Sequence, residues 1–220
     1  MPKAWLIVGP AAWPDEAHWR PLMCSHQVVA LDGAYHHLQQ RGVEPDWVLG
    51  DFDSINANSL ATLRNEKPNS VVERPDQSET DASKALAFVI EQGADEVVLM
   101  GGWGDRVDHS WHNLQLLGRF YHSQRRIALL TPSEKMVYCQ SATLRIEASA
   151  GSRIAVLGMG SEALASSEGL LYDMQQWTLG FKGKDSIANA LVNEVASIHI
   201  TGGALVVMPI AASWSIGYVS

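Results

Sequence analysis

"PDWVLGDFDSI", residues 45–55, joins a short apolar run to two aspartates, Asp51 and Asp53. Trp47, Val48 and Leu49 show no polar alternation, so the run reads as a strand buried on both faces. The pattern recurs along the first half of the chain. "AWLIVG" (4–9), "QVVAL" (27–31), "SVVER" (70–74), "EVVLM" (96–100) and "RIALL" (126–130) are further strand candidates. Amphipathic segments near 15–22, 33–41, 56–64, 80–92 and 109–121 lie between them at helix length. Such alternation gives the α/β class, a mostly parallel sheet with flanking helices.

After "TPSE" (131–134) the pattern changes. "MVYCQ", "ATLRIEA", "RIAVLG", "WTLGF", "SIHITGG" and "ALVVMP" read as short strands punctuated by glycine, which predicts an all-β sandwich or barrel. "DSIANALVNEV" (185–195) is the one stretch here that reads as a helical turn. The expected organisation is an α/β domain over 1–132 and a β-sandwich domain over 133–220.

Composition narrows the function classes. The chain has 220 residues and a formal net charge of −8, which argues against non-specific nucleic-acid binding. Two cysteines, Cys24 and Cys139, lie far apart and outside any CxxC pair, which argues against a disulfide framework and a structural zinc site. Cys24 is expected to be buried and inert. No apolar run reaches the roughly 18–20 residues that a bilayer span needs. The opening "MPKAWLIVGP" reads as a first strand rather than a signal peptide. A cytoplasmic protein is expected.

The acids of the first half follow strand ends. Asp32 comes after "QVVAL", Asp51 and Asp53 after "WVLG", Asp76 and Asp81 after "VVER", and Asp105 and Asp108 after "EVVLM". The carboxyl edge of an open parallel sheet is where ligands bind. In extended backbone, side chains at i and i+2 point the same way, so Asp51 and Asp53 can converge. Two carboxylates within about 4 Å repel by roughly 4 kcal/mol at an effective dielectric near 20. A solvated acidic turn is the plain alternative, but a divalent cation such as Mg²⁺ reverses that sign and leaves positions for water and phosphate. "GGWGDRVDH" (101–109) adds Gly101, Gly102 and Gly104 for close backbone approach and Arg106 as a planar clamp on phosphate oxygens.

Other chemistries lack their motifs. The chain contains no GxxxxGK[ST], no GxGxxG after the first strand and no GxSxG. His109 and His112 lie three apart without an HExxH frame, so helix packing or solvent exposure is the expected role.

The stretches "LDGAYHHL", "PDWVLGDFDSI", "DQSETDASKAL" and "GGWGDRVDHSWHNLQLL" resemble those of the thiamine pyrophosphokinase family, in its order and spacing. "GLLYDMQQWTLGFKGKDSIAN" resembles, more loosely, that family's thiamine-binding segment, which ends in Ser-x-x-Asn. The resemblance implies transfer of a pyrophosphoryl group from ATP to the hydroxyethyl oxygen of thiamine, giving thiamine diphosphate and AMP. It also implies a homodimer with active sites at the subunit interface. By position, Asp51 and Asp53 hold Mg²⁺, with Asp81 and Asp108 completing the metal and phosphate shell. Asp32 matches the acidic position after the second strand. Gln77 and Thr80 fall on the substrate-contact loop, and Gly102, Arg106 and Asp108 on the ATP-phosphate segment. Ser186 and Asn189 match the element that faces thiamine from the partner subunit. Tyr172 stands where the family often carries a Trp platform, and Trp177 is the other candidate ring. "TPSE" replaces an acidic segment that the family often places beside adenine. A pyrophosphokinase for another alcohol, such as a pterin, and a non-catalytic thiamine or nucleotide sensor are the alternatives.

Overall fold

Strands β1 (Ala4–Val8), β2 (Gln27–Leu31), β3 (Trp47–Gly50), β4 (Val71–Glu73), β5 (Glu96–Met100) and β6 (Arg126–Leu130) form where the apolar runs stand. The structure, a computed structural model, describes residues 3–104, 106–160 and 162–217. The chain divides into two compact units, one of 1–116 with 124–132 and one of 117–123 with 133–220.

In the first unit the sheet order is β4-β3-β2-β1-β5-β6, and each of these pairings is parallel. Helices α1 (Glu16–Ser25), α2 (Asp32–Gln40), α3 (Ala57–Glu66), α4 (Asp81–Glu91) and α5 (Val107–Arg119) connect the strands. The central strands are buried because helices cover the sheet: Leu6, Ile7, Val29, Leu49, Val97 and Leu99 are fully enclosed. Phe88 of α4 meets both Trp5 and Trp47 edge-on, with ring centroids 6.0 and 5.2 Å away.

Strand order reverses between β1 and β5, and that point is where an open α/β sheet leaves a crevice. Gly9 and Gly101 cross there, and a Cβ on either would run into the carbonyl oxygen of the other. Gly101 also has a φ of +67°, which L side chains avoid. Gly101→Ala should therefore cost about 3 kcal/mol, combining backbone strain with a clash that has no flexible partner. A denaturant titration reads this, and a shift below about 1 kcal/mol would show that the crossing relaxes freely.

The second unit is antiparallel, with β7 (Glu134–Glu147), β8 (Arg153–Gly158), β9 (Ala163–Glu168), β10 (Trp177–Leu179), β11 (Ser186–Ala190), β12 (Val195–Pro209) and β13 (Ser213–Gly217). The four segments expected as separate strands are two long ones: "MVYCQ" and "ATLRIEA" lie in β7, "SIHITGG" and "ALVVMP" in β12. Ser141 (φ 48°) interrupts the first, and Gly202 (φ 77°) marks the register shift in the second. The first half of β12 pairs with β9 and the second half with β8. A pair of long strands that change neighbours at a bulge is how one ribbon serves both layers of a sandwich.

The expected helical turn at 185–195 is instead β11, which pairs with β8 through a register shift between Ser186 and Asn189. Tertiary pairing outweighs the local helix signal there. Cys139 is buried and its thiol is pushed up to about 12 by that burial, whereas Cys24, expected inside, is exposed near the end of α1.

Candidate active site at the carboxyl edge of the sheet

The carboxylates of Asp32, Asp51 and Asp53 each offer an oxygen within 4.8 Å of the others. The way they converge differs from the extended geometry expected for Asp51 and Asp53. Phe52, between them, is left-handed at φ 63°, and its ring is buried. The segment is thus a turn wound about a buried aromatic anchor, an uncommon conformation for a bulky residue and a strained one. Gly50, just before it, makes room for Asp32, because a Cβ there would stand 2.8 Å from the Asp32 Cγ.

Asp32 is the first residue of α2 and is 5% exposed. Its Oδ1 accepts from the Gly33 N–H at 2.5 Å, and its Oδ2 is buried with no protein donor. Burial first, then the charges of Asp81 and Asp51, raise its carboxyl above the ordinary 3.8. Asp51 moves the other way: the Gln77 amide donates to its Oδ2 at 2.7 Å and holds the carboxyl below its ordinary range. Ser54 donates to Asp53 Oδ1 at 2.9 Å. An orphaned buried oxygen beside a partly exposed carboxylate and an exposed one is a donor set that fits a hard divalent cation.

A raised folded-state carboxyl favours folding fully below its unfolded value and loses that contribution as pH rises through its folded value. Between pH 3.8 and neutrality, metal-free wild type should therefore lose stability relative to Asp32→Asn as pH rises. Thermal unfolding of both proteins in chelator checks this. A difference that stays flat with pH would mean that Asp32 is not penalised in the fold.

The two acids expected to complete the shell, Asp81 and Asp108, are each paired with a cation. Asp81 faces the same cleft, with the Lys84 ammonium 3.2 Å from its Oδ1. Asp108 takes both Nε and a terminal nitrogen of Arg106, at 3.2 and 2.6 Å, which pulls its carboxyl down to about 2. Both partners of that pair are largely exposed. Asp76 accepts from the N–H and hydroxyl of Ser78 in its own loop. Asp105 lies outside the described residues.

The cleft has a volume of about 610 Å³. Gly101, Gly102 and Gly104 form part of its wall, with Thr80, Arg106 and His109. Two buried side chains of α5 pin the glycine loop. Asn113 donates to the Gly102 carbonyl at 2.7 Å, and the Ser110 hydroxyl bonds the N–H and carbonyl of Gly104, both at 3.1 Å. Thr80 also caps α4, accepting from Ser83 N–H at 3.3 Å. His112 sits on α5 with a buried, unpartnered Nε2.

Sequence reasoning passed over Lys84, Ser110 and Asn113. The Lys84 side chain is 8% exposed, a rare burial for lysine, and its charge reaches Asp51 and Asp76. Its signal in the sequence was the i,i+3 spacing from Asp81 at a helix start.

In the second unit, Ser186 and Asn189 are buried. Asn189 donates to the Tyr172 carbonyl at 2.7 Å and accepts from the Tyr172 N–H at 3.0 Å, and Ser186 takes its remaining N–H at 3.0 Å. The pair therefore grips the backbone of Tyr172, whose side chain is 62% exposed. Trp177 has the Lys184 ammonium 3.8 Å over its ring.

A parallel sheet with a carboxylate rim and a pinned glycine loop at its switch point defines an α/β enzyme with its chemistry at the strands' carboxyl ends. The family described as "Thiamin pyrophosphokinase, catalytic domain" matches residues 21–129. "Thiamin pyrophosphokinase 1" of Caenorhabditis elegans is 30% identical over 174 residues, covering 73% of this chain and 70% of that protein. "Thiamine pyrophosphokinase 1" of Oryza sativa subsp. japonica is 29% identical over 166 residues, covering 70% of this chain and 62% of that protein. In fold, the crystal structure of thiamine pyrophosphokinase from Bacillus subtilis gives a TM-score of 0.77 at 21% identity, covering 94% of this chain and 98% of that one. The yeast enzyme's structure gives 0.81 at 15% identity, covering 94% and 86%. The chain belongs to the thiamine pyrophosphokinase family.

Proposed function

We propose that this enzyme transfers a pyrophosphoryl group from ATP to the hydroxyl of thiamine, releasing AMP and thiamine diphosphate. The observation that carries the reading is the meeting of Asp32, with its buried unpartnered oxygen, Asp51 and Asp53 at the edge of a glycine-walled cleft that Asp32 and Asp51 line. The three carboxylates would hold Mg²⁺, which when bound offsets charge on the phosphate oxygens. Asp81 and Asp108 are placed beside cations, so their role is to orient Lys84 and Arg106 rather than to ligate.

The residues then divide the work. Phosphoryl transfer asks mainly for positioning and charge compensation. Gln77 fixes the orientation of Asp51 through its 2.7 Å bond. Lys84 supplies a cation on the cleft wall, and Arg106 a second one once it leaves Asp108. The loop around Gly102, pinned by Asn113, lets backbone approach the phosphates. A carboxylate of the cleft takes the proton of the thiamine hydroxyl.

The unit of 117–123 with 133–220 would bind thiamine for the active site of a partner subunit. Tyr172 supports that role better than Trp177, whose ring already faces Lys184. Leu171, Phe181, Ile187 and Val192 of the same unit are exposed apolar side chains, which suits burial against a second copy in a homodimer. No helix is long and apolar enough to cross a membrane among the described residues; a cytoplasmic enzyme is in keeping with that.

A panel of alcohols with ATP and Mg²⁺, scored by AMP release, tests the acceptor. Thiamine should be the preferred substrate by a wide margin. A preference for a pterin alcohol would move the reading to that substrate, and thiamine binding without turnover would replace it with a sensor.

A further inference from the structure

The turn that joins β3 to α3 carries two of the three clustered carboxylates, and both of its ends are fixed. The Gly50 carbonyl, at the end of β3, accepts from the Arg74 N–H at 2.9 Å. Asn56 caps α3 by accepting from the Ser59 N–H at 2.9 Å. Between them Phe52 holds a φ of 63°, a costly conformation for a bulky residue. Its ring is buried, and the Arg64 guanidinium of α3 lies 5.9 Å from the ring centre. Arg64 is itself tied to the Glu73 carboxylate of β4 at 2.6 Å. The convergence of Asp51 and Asp53 with Asp32 adds a second cost, because like charges repel. Two unfavourable features at one turn require something that holds them.

We infer that Phe52 is a positioning residue of the carboxylate site: its buried ring, roofed by Arg64, keeps the turn in the backbone conformation that gathers the three acids. The inference rests on the reading of that trio as the holder of Mg²⁺. The Phe52 ring and the carboxylates on either side of it turn on the same backbone torsions. A return to negative φ would re-aim the acids and also move the ring from its seat. Burial of the ring and convergence of the acids therefore form a single state, in which burying an aromatic side chain offsets strain and repulsion. The Asp53 N–H donates to Asp51 Oδ1 at 3.3 Å, a bond too long to hold the turn unaided. Such support behind the ligands is what fixes a binding geometry in advance.

The test titrates Mn²⁺, a carboxylate-binding ion with a spectroscopic signal, into the full chain. Wild type should bind it, and Phe52→Gly should bind it about tenfold more weakly, the scale for a residue that supports metal ligands from behind. Glycine takes positive φ without strain, so this variant should fold while lacking the ring. Phe52→Leu restores an apolar anchor and should recover affinity to within about threefold of wild type. In turnover assays, the Mg²⁺ needed for half-maximal rate should rise about tenfold in Phe52→Gly, while the KM for thiamine stays within about twofold. A ring that only fills the core would change the unfolding midpoint and leave Mn²⁺ affinity alone. Wild-type Mn²⁺ affinity in Phe52→Gly therefore overturns the inference while leaving the metal site standing. Phe52→Leu binding no better than Phe52→Gly also overturns it. Failure of wild type to bind Mn²⁺ removes the metal reading and the inference together.

Discussion

Asp51→Asn lowers turnover of thiamine with ATP and Mg²⁺ by about two to three orders of magnitude, the scale seen when one preorganised charge-stabilising group is lost. The fold should hardly notice. Asp51 is partly exposed, its bonds are to Gln77 and to the Asp53 N–H, and both have water as an alternative partner. In metal-free protein the substitution also relieves repulsion within the trio, so its unfolding midpoint should stay level or rise. Mg²⁺ raises the midpoint of wild type by mass action and should do so much less in the variant. Turnover within about threefold of wild type would remove Asp51 from the chemistry. A large loss of stability in chelator would make its role structural.

Lys84→Met should lower turnover by about a hundredfold, because it removes the enclosed cation of the acidic cleft. Lys84 also neutralises Asp81, so a structural loss must be separated from a chemical one. The single variant strands the Asp81 carboxylate beside Asp32, whose carboxyl already feels that charge. Stability should therefore fall, although the partial exposure of Asp81 keeps the cost well below that of a fully buried pair. Asp81→Asn combined with Lys84→Met removes both charges and should restore the unfolding midpoint. Turnover should remain low in that double variant. Recovery of both together would show that Lys84 serves only to balance Asp81. Lys84→Arg, which keeps the charge with a different reach, should recover part of the turnover.

Much of this site was legible before the fold was known. Apolar runs of β-branched residues marked β1 to β6 to within a residue or so, because burial on both faces leaves no other pattern. The position of Asp32, Asp51 and Asp53 after those strands followed directly. The conformation joining them did not. Phe52 reads as one more apolar residue, and nothing in its type announces a left-handed backbone. Lys84 was hidden because lysine at the start of an amphipathic helix is usually solvated, and only the surrounding acids hold it inside.

The second unit was harder to read for a different reason. β7 and β12 run through bends that look like turns, so each appeared as two strands. Asn189, expected to face thiamine, makes hydrogen bonds to the backbone of Tyr172 and to Ser186, 17 and 3 residues away, and accepts from the Ala190 N–H. Only the pairing of β11 with β8 places those groups together.

The most direct test follows the β-phosphorus of ATP. With thiamine, Mg²⁺ and ATP labelled at that position, the account predicts the label in thiamine diphosphate and AMP as the nucleotide product. Label retained in ADP, with thiamine monophosphate formed, would contradict it.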